Sequence, residues 1–475
     1  MKLKRHFILI LSLTITFIYA APISIFYTGD THSVYESKVD KEKGTLKGGY
    51  LVLEEILNQK RSQTKNGIYV DTGDQQTGTI FSSLVEDGVH GGAVIEVFNQ
   101  LALDASVFGN HEFDFSYTNT RDLAKKAKFP FVCTNLIDKT TRQSVSGIPY
   151  TILERDNITI GIFGVTLEKL PEKVKAENVS SVTILPPVDA INKYLEEVDQ
   201  KTDLIIVLTH QGFEADSLLA VNLDNRIDLI IGGHDHIKAE TPYLINGKYL
   251  LYSGSHLNYL GLAEIEVQND RIISIQNQLI PLEITKKDFD TPLAKYIQEK
   301  TVKIEEEMSK VIGYIPEDWV PDKYQSTTLS RWIASALKTE YEKTYHPDMA
   351  IINNGGLRKA IPAGPVTLRD LNELLPFNNT VVVFSCYGKD LLTFLSLNEL
   401  HSKEKPFDIC EYTHLDNIEP DKVYRVISHD YIAGQWDKYL GFKPFDVYDT
   451  GELFLDAIIR QIQIQYSPNK EEDWD

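Results

Sequence analysis

Between Ile23 and about Leu282 the chain repeats one pattern, a short β-rich apolar run that stops at a polar or glycine cluster. Ile23–Thr28, Ile68–Thr72, Ala105–Phe108, Ile158–Val165, Leu204–Thr209 and Leu229–Ile231 are such runs. Short apolar runs bounded by turn formers predict strands, and the helical spacing within Leu51–Gln59 and Ala93–Leu101 predicts helices between some of them. Strands alternating with helices predict a layered α/β domain whose ligands gather where strands end in loops.

The pattern then changes. From Asp290 to Lys310, Leu293, Ile297, Ile304 and Met308 stand among many charges, which predicts an amphipathic, largely exposed connecting helix. A second block from about Val311 to Tyr466 has its own apolar runs at Met349–Ile352, Thr380–Phe384 and Val423–Ile427. No internal repeat or low-complexity tract interrupts either block. At 475 residues the chain exceeds one ordinary core, and two bodies fit a typical domain size of roughly 150 residues.

Ahead of the first strand, Lys2-Leu3-Lys4-Arg5-His6 precedes an apolar run from Phe7 to Tyr19 and then Ala20-Ala21-Pro22. A basic start, a short apolar stretch and small residues predict a signal peptide over 1–20, cut after Ala20. The run is short of the ~20 residues that span a bilayer, and the tail Tyr466–Asp475 is polar and acidic, unlike a lipid-anchor signal. The expectation is therefore a secreted or periplasmic protein with no stable membrane anchor. The expected divisions are 21–289 for the first body, 290–310 for the connector and 311–475 for the second body.

The net charge of -20 argues against a nucleic acid polymer as partner, since that affinity comes from Lys and Arg neutralising phosphates. An acidic protein accepts a small phosphate ester where bound cations invert the local potential. Three cysteines, Cys133, Cys386 and Cys410, exclude a disulfide framework and allow at most one intrachain bridge. Asn157, Asn178 and Asn378 open glycosylation sequons, which matter only in a eukaryotic source. Nothing in the sequence fixes the oligomeric state.

Candidate chemistry sits at the ends of the strands. Gly29-Asp30-Thr31-His32, Asp71-Thr72-Gly73-Asp74, Gly109-Asn110-His111-Glu112, Thr209-His210 and Gly233-His234-Asp235-His236 each follow an apolar run. Any one alone reads as an ordinary turn. Five in one domain form a mixed Asp, His and Asn donor set, which suits zinc, manganese, iron or cobalt better than calcium. Asp74, a lone acid after a glycine, is the natural bridge between two such ions.

With Gly109-Asn110-His111-Glu112-Phe113-Asp114 and Gly233-His234-Asp235-His236, the chain resembles the calcineurin-like metallophosphoesterases, and more narrowly the 5′-nucleotidase family. The resemblance covers nearly all of the expected mature chain. It implies one divalent ion held by Asp30, His32 and His236, a second held by Asn110, His210 and His234, and Asp74 shared. His111 and Asp114 match the family's catalytic pair. Gly29 stands where the family usually has Asn and Ser33 where it has Gly, and neither change removes a ligand. The implied fold is an α/β chain: an N-terminal layered β-sandwich flanked by helices, a helical connector, and a smaller α/β C-terminal substrate-binding domain.

In the second block, Asn353, Asn354, Gly355, Gly356 and Arg358 follow an apolar strand and can offer backbone donors with one guanidinium, or simply form a tight turn. The resemblance extends through Leu375-Pro376-Phe377-Asn378-Asn379 and Tyr448-Asp449-Thr450-Gly451. It implies substrate contacts from Asn353, Gly355, Gly356, Arg358 and Asp437, with Phe377 and Tyr439 sandwiching a base. Three departures bear on the substrate: Lys323 for the family's Arg, Ser330-Arg331 for Gly-Asn, and Gly434-Gln435-Trp436-Asp437-Lys438 for Asn-Gly-Gly-Asp-Gly. The activity implied is release of phosphate from nucleoside monophosphates. The same ions would serve a UDP-sugar or nucleoside di- or triphosphate hydrolase, or a 2′,3′-cyclic phosphodiesterase with 3′-nucleotidase activity. A non-catalytic nucleotide-binding protein on this scaffold is the remaining class.

Overall fold

A computed structural model describes residues 21–467 except 65, 157, 378 and 404–407. The expected signal peptide and the sequons at Asn157 and Asn378 lie outside the described residues. The first body is built on two six-stranded sheets, with smaller two- and three-stranded sheets around them. In chain order the twelve strands of the two large sheets are β1 (Ala21–Thr28), β2 (Gly67–Asp71), β3 (Ala105–Val107), β4 (Phe131–Val132), β5 (Tyr150–Arg155), β6 (Ile158–Thr166), β7 (Leu204–His210), β8 (Leu229–Gly232), β9 (Tyr243–Ile245), β10 (Lys248–Leu251), β11 (Tyr259–Val267) and β12 (Ile272–Pro281).

One sheet runs β12-β11-β1-β2-β3-β4 and the other β5-β6-β7-β8-β10-β9. In the first sheet β1, β2, β3 and β4 run parallel, with β11 and β12 joined antiparallel beyond β1; in the second β6, β7, β8 and β10 run parallel between antiparallel edge strands β5 and β9. Alternate side chains explain the continuous apolar runs. Ile23, Ile25, Ile68 and Val70 meet Ile160, Ile162, Leu204 and Ile206 between the sheets. The intervening residues face helices: Phe26 and Tyr69 pack with α1 (Tyr50–Arg61) and α2 (Gly92–Gln100), and Phe163 and Val207 with α3 (Pro187–Asp199) and α4 (Phe213–Asn222). A strand buried on both faces shows no polar alternation.

The connecting helix α5 (Pro292–Met308) starts at Thr291, whose Oγ1 accepts the Ala294 N–H, with Pro at its first position. Leu293, Ile297 and Ile304 are buried in the same core as α1 and α2, so the helix is docked along its apolar stripe instead of largely exposed. Lys300, buried beside that stripe, pairs with Glu86 at 2.9 Å.

The second body is a five-stranded mixed sheet of β13 (Met349–Asn353), β14 (Thr380–Tyr387), β15 (Cys410–Tyr412), β16 (Val423–His429) and β17 (Phe445–Leu453), in the order β15-β13-β16-β14-β17. One face packs against α6 (Thr328–Tyr345) and α7 (Phe454–Gln465), the other around Phe394, Tyr424 and Tyr439. All three cysteines are buried and free. Among the described residues no helix is long and apolar enough to cross a membrane.

At Gly164 in β6 the second sheet comes directly against Val132 in β4 of the first. The Gly164 N–H donates to the Thr134 hydroxyl oxygen at 3.0 Å, its carbonyl accepts the Thr134 N–H at 2.7 Å, and a Cβ there would sit 2.1 Å from the Val132 carbonyl oxygen. Gly164→Ala is therefore expected to lower stability by about 2 kcal/mol, as forced overpacking does. Thermal or urea unfolding checks this, and an unchanged midpoint would mean the sheets separate without strain.

Candidate active site

Every residue of the proposed metal set sits where a strand stops. Asp30 and His32 follow β1, Asp74 follows β2, Asn110 follows β3, His210 ends β7, and His234 and His236 follow β8. Asp30, His32, Asp74, His234 and His236 have left-handed backbone, with φ of 50°, 48°, 52°, 84° and 57°. Such conformations cost a non-glycine residue about 1 kcal/mol or more each and collect at functional sites.

The side chains converge in three overlapping trios, Asp30 with His32 and His236, Asp74 with His210 and His234, and His32 with Asp74 and His111. In each trio the donor atoms lie within 4.8 Å of one another. The first trio consists of the residues expected at one ion site, and the second joins His210 and His234 of the other expected site with Asp74, which also lies beside His32. Nδ1 of His210 contacts the Thr72 carbonyl at 2.7 Å and Nδ1 of His32 the Thr77 carbonyl at 3.1 Å. A ring that donates Nδ1–H to a carbonyl presents an Nε2 lone pair. The Nε2 atoms of His32 and His236 then stand 3.0 Å apart.

The donor chemistry fits divalent ions. Two carboxylates, Asp30 and Asp74, are each 2% exposed, and burial pushes Asp30 up to about 7. Asn110 Oδ1 and His210 Nε2 are buried without a hydrogen bond, although the latter lies 3.0 Å from Asp74. Burial drives His32 down to about 3, and burial with the His210 charge drives His234 to about 4, so both rings are neutral near pH 7. Neutral imidazole and ionised carboxylate are the ligand states a cation needs.

His111 has a different environment. Its Nδ1 lies 2.7 Å from Asp114 Oδ2, which also accepts the Thr77 hydroxyl at 2.5 Å. Burial opposes a charge on His111, but Asp74 and Asp114 outweigh it and lift the ring to about 10. A protonated imidazole held by a carboxylate is suited to stabilising charge on a reacting oxygen.

Two residues at this centre lay outside the sequence expectations. Glu112, 1% exposed, accepts backbone N–H groups from Gly109 at 2.7 Å, Asp74 at 3.1 Å, Gln75 at 2.8 Å and Gln76 at 3.3 Å. An acid inside an Asn-His-Glu-Phe run, next to a buried Phe, was the available signal. His256 carries no motif; its ring lies 4.9 Å from His32 and 5.3 Å from His236.

The expected substrate residues gather in the second body. A cavity of about 320 Å³ is lined by Asn353, Gly355, Gly356, Arg358, Phe377 and Tyr439, together with Lys323, Asn379, Asp408, Tyr431 and Lys438. Asp437 is exposed and is not among the lining residues. Phe377 is 48% exposed, but Tyr439 is only 2% exposed, whereas Tyr431 is 43% exposed. Asp430–Gly434 and Trp436–Tyr439 form short helical turns. Those turns carry the Tyr439 ring into the core, pack Trp436 against it, and leave Tyr431 as the second open ring. The Ser330-Arg331 departure is structural: Ser330 completes the cap of α6 with Thr327 and donates to Glu411 at 2.8 Å.

Two predictions follow from this geometry. His111→Ala should lower turnover by roughly 10² or more with metal content unchanged, while Asp74→Ala should empty the site. Elemental analysis beside kcat separates the two, and loss of metal from the His111 variant would reassign that residue. Glu112→Gln should weaken metal retention and cost about 3 kcal/mol of stability, because an amide N–H would face backbone donors. Normal metal content and unfolding midpoint in that variant would remove Glu112 from this role.

Comparison with known proteins agrees with the fold. Residues 23–238 match the family model for calcineurin-like phosphoesterase, and residues 311–416 that for the 5′-nucleotidase C-terminal domain. A 5′-nucleotidase of Vibrio vulnificus is 24% identical over 469 residues, covering 87% of this chain and 81% of that protein. Protein UshA of Escherichia coli is 24% identical over 542 residues, covering 95% and 94%. The solved structure of the NAD nucleotidase of Haemophilus influenzae superposes with a TM-score of 0.70 at 20% identity, covering 94% of this chain and 97% of that one. The chain therefore belongs to the 5′-nucleotidase family, a calcineurin-like phosphoesterase body joined to a 5′-nucleotidase C-terminal domain, and is a phosphoric ester hydrolase of that type.

Proposed function

We propose that the protein is an exported nucleotide phosphohydrolase that releases phosphate from nucleoside monophosphates at a pair of divalent ions. The observation that carries the reading is the convergence of the trios Asp30–His32–His236 and Asp74–His210–His234, with Asn110 Oδ1 buried and without a hydrogen bond. When bound, two such ions supply charge neutralisation for the phosphoryl oxygens and activation of water for in-line attack. Asp30, His32 and His236 would hold one, Asn110, His210 and His234 the other, with Asp74 shared. His111, its Nδ1–H held by Asp114, presents the Nε2 proton to the phosphoryl or leaving oxygen. The presence of that pair favours turnover over simple nucleotide capture. Export rests on the basic and apolar pattern of residues 1–20.

Recognition would fall to the cavity of the second body, where Phe377 and Tyr431 offer faces for a base and Arg358 a guanidinium. A second reading, cleavage of a di- or triphosphate or a nucleotide sugar, draws on a separate groove of about 580 Å³ beside His234. Lys169 and Lys173 line that groove and leave room for a larger leaving group.

Phosphate release from AMP, ADP, ATP, a UDP-sugar and 2′,3′-cAMP tests the choice. AMP should be preferred, EDTA should abolish activity, and Mn, Zn or Co should restore it. Phe377→Ala, Tyr431→Ala and Arg358→Ala should each raise KM for AMP about tenfold or more, in line with the worth of one stacked ring, and spare a small aryl phosphate. Full activity in protein shown to be metal-free would overturn the proposal. So would equal constants for all three variants on both substrates.

A further inference from the structure

The cavity of the second body contains one carboxylate, Asp408, which no sequence motif marked. Its side chain is 13% exposed, so it is recessed but open to the cavity. Asn353 Nδ2 donates to Oδ2 at 3.0 Å, and the Tyr439 hydroxyl lies 3.1 Å from Oδ1 and 3.3 Å from Oδ2. Lys438 Nζ is 3.8 Å from Oδ1 and 2.7 Å from the Tyr439 oxygen, which fixes that hydroxyl as a donor toward the acid. Gly355 completes the seat: a Cβ there would stand 2.3 Å from Asp408 Oδ2, so only glycine lets the carboxylate rest against that backbone.

These contacts hold the acid in one orientation without exhausting it. An ionised carboxylate has about four acceptor positions, and the two close donors leave at least one on the cavity side. Two parallel oxygens with spare lone pairs match the paired hydroxyls of a ribose, the way an acid recognises a sugar diol in nucleotide-binding folds generally. The neighbours agree with that ligand, because Phe377 and Tyr431 line the same cavity with exposed rings. The burial of Tyr439 then gains a purpose: its hydroxyl is a clamp on Asp408, and its ring is not a stacking face.

We infer that Asp408 is the specificity residue that reads the vicinal diol of a ribonucleoside, held in place by Asn353, Tyr439, Lys438 and the bare backbone of Gly355. The inference rests on the nucleotide reading above and names what that reading leaves open, the sugar contact.

The test is kcat/KM for AMP, 2′-deoxy-AMP and 2′,3′-dideoxy-AMP, with an aryl phosphate as reference, on manganese-loaded wild type, Asp408→Ala and the isosteric Asp408→Asn. Wild type should favour AMP over the dideoxy compound by about ten- to a hundredfold, the usual worth of a hydrogen bond to a charged group. Asp408→Ala should bring the ratio near one, and Asp408→Asn should lose most of it, both with unchanged aryl phosphate hydrolysis. Should the alanine variant fail to fold, the asparagine variant and the wild-type ratio still decide. A wild type that prefers nucleotides to aryl phosphate but ignores the sugar hydroxyls overturns the assignment and leaves the nucleotide reading intact. An undiminished ratio in the variants overturns it too. If AMP is hydrolysed no better than aryl phosphate, both fall together.

Discussion

One buried carboxylate ties the active centre together. Glu112 collects the N–H groups of Asp74, Gln75, Gln76 and Gly109, and so binds the loop after β2 to the loop after β3. Asp74 in turn accepts the His111 N–H at 2.9 Å, which sets the residue after Asn110. Burial and the Asp74 charge push Glu112 up to about 7, and four backbone donors pull the other way. An acid whose two oxygens face only N–H groups must be an acceptor, so those donors and any cations bound at Asp74 favour its ionised form. Remove that charge and the backbone of two ligand loops loses its common anchor.

That anchor matters because the centre is strained. Five of the seven metal-set residues have left-handed backbone, and two of them are acids buried close together. Strain and like charge are both unfavourable, and both are tolerable because the sandwich beneath is rigid. Ile25, Val70, Val107, Leu208 and Ile231 lie just before the ligand loops and are fully buried between the sheets. Parallel strands all end on one side, so their loops meet in one crevice. The fold thus delivers donors from five strand ends to one point, with no loop reaching far from its strand.

This explains what the sequence made legible. Strand ends can be read from an apolar run followed by a polar residue, and the proposed metal set lies there. Asp30, His32, Asp74, Asn110, His210, His234 and His236 could be named because each is adjacent in sequence to the element that places it. The second body obeys a different rule. Its cavity is made of side chains from the ends and loops of several elements, and small changes in loop winding exchange one ring for another. Here Asp430–Gly434 and Trp436–Tyr439 form helical turns, and Tyr439 lies in the core. Nothing in residue type alone marks Asp408, since its meaning comes from Asn353, Gly355 and Tyr439 across the sheet. The docking of α5 was likewise hidden, because charges flank its apolar stripe on both sides.

The two bodies therefore carry different tolerances to change. All seven proposed donors, and both members of the His111–Asp114 pair, come from residues 30–236 of the first body. Between the bodies, Lys175 meets Glu452 at 3.1 Å with both side chains about one third exposed, a pair that contributes at most about 1 kcal/mol. Substitutions that reshape the cavity can then alter which ester is held while leaving the donor geometry as it is. The departures at Lys323 and Gln435-Trp436 lie wholly on that side of the molecule, which is where a family that keeps one reaction is free to change its substrate.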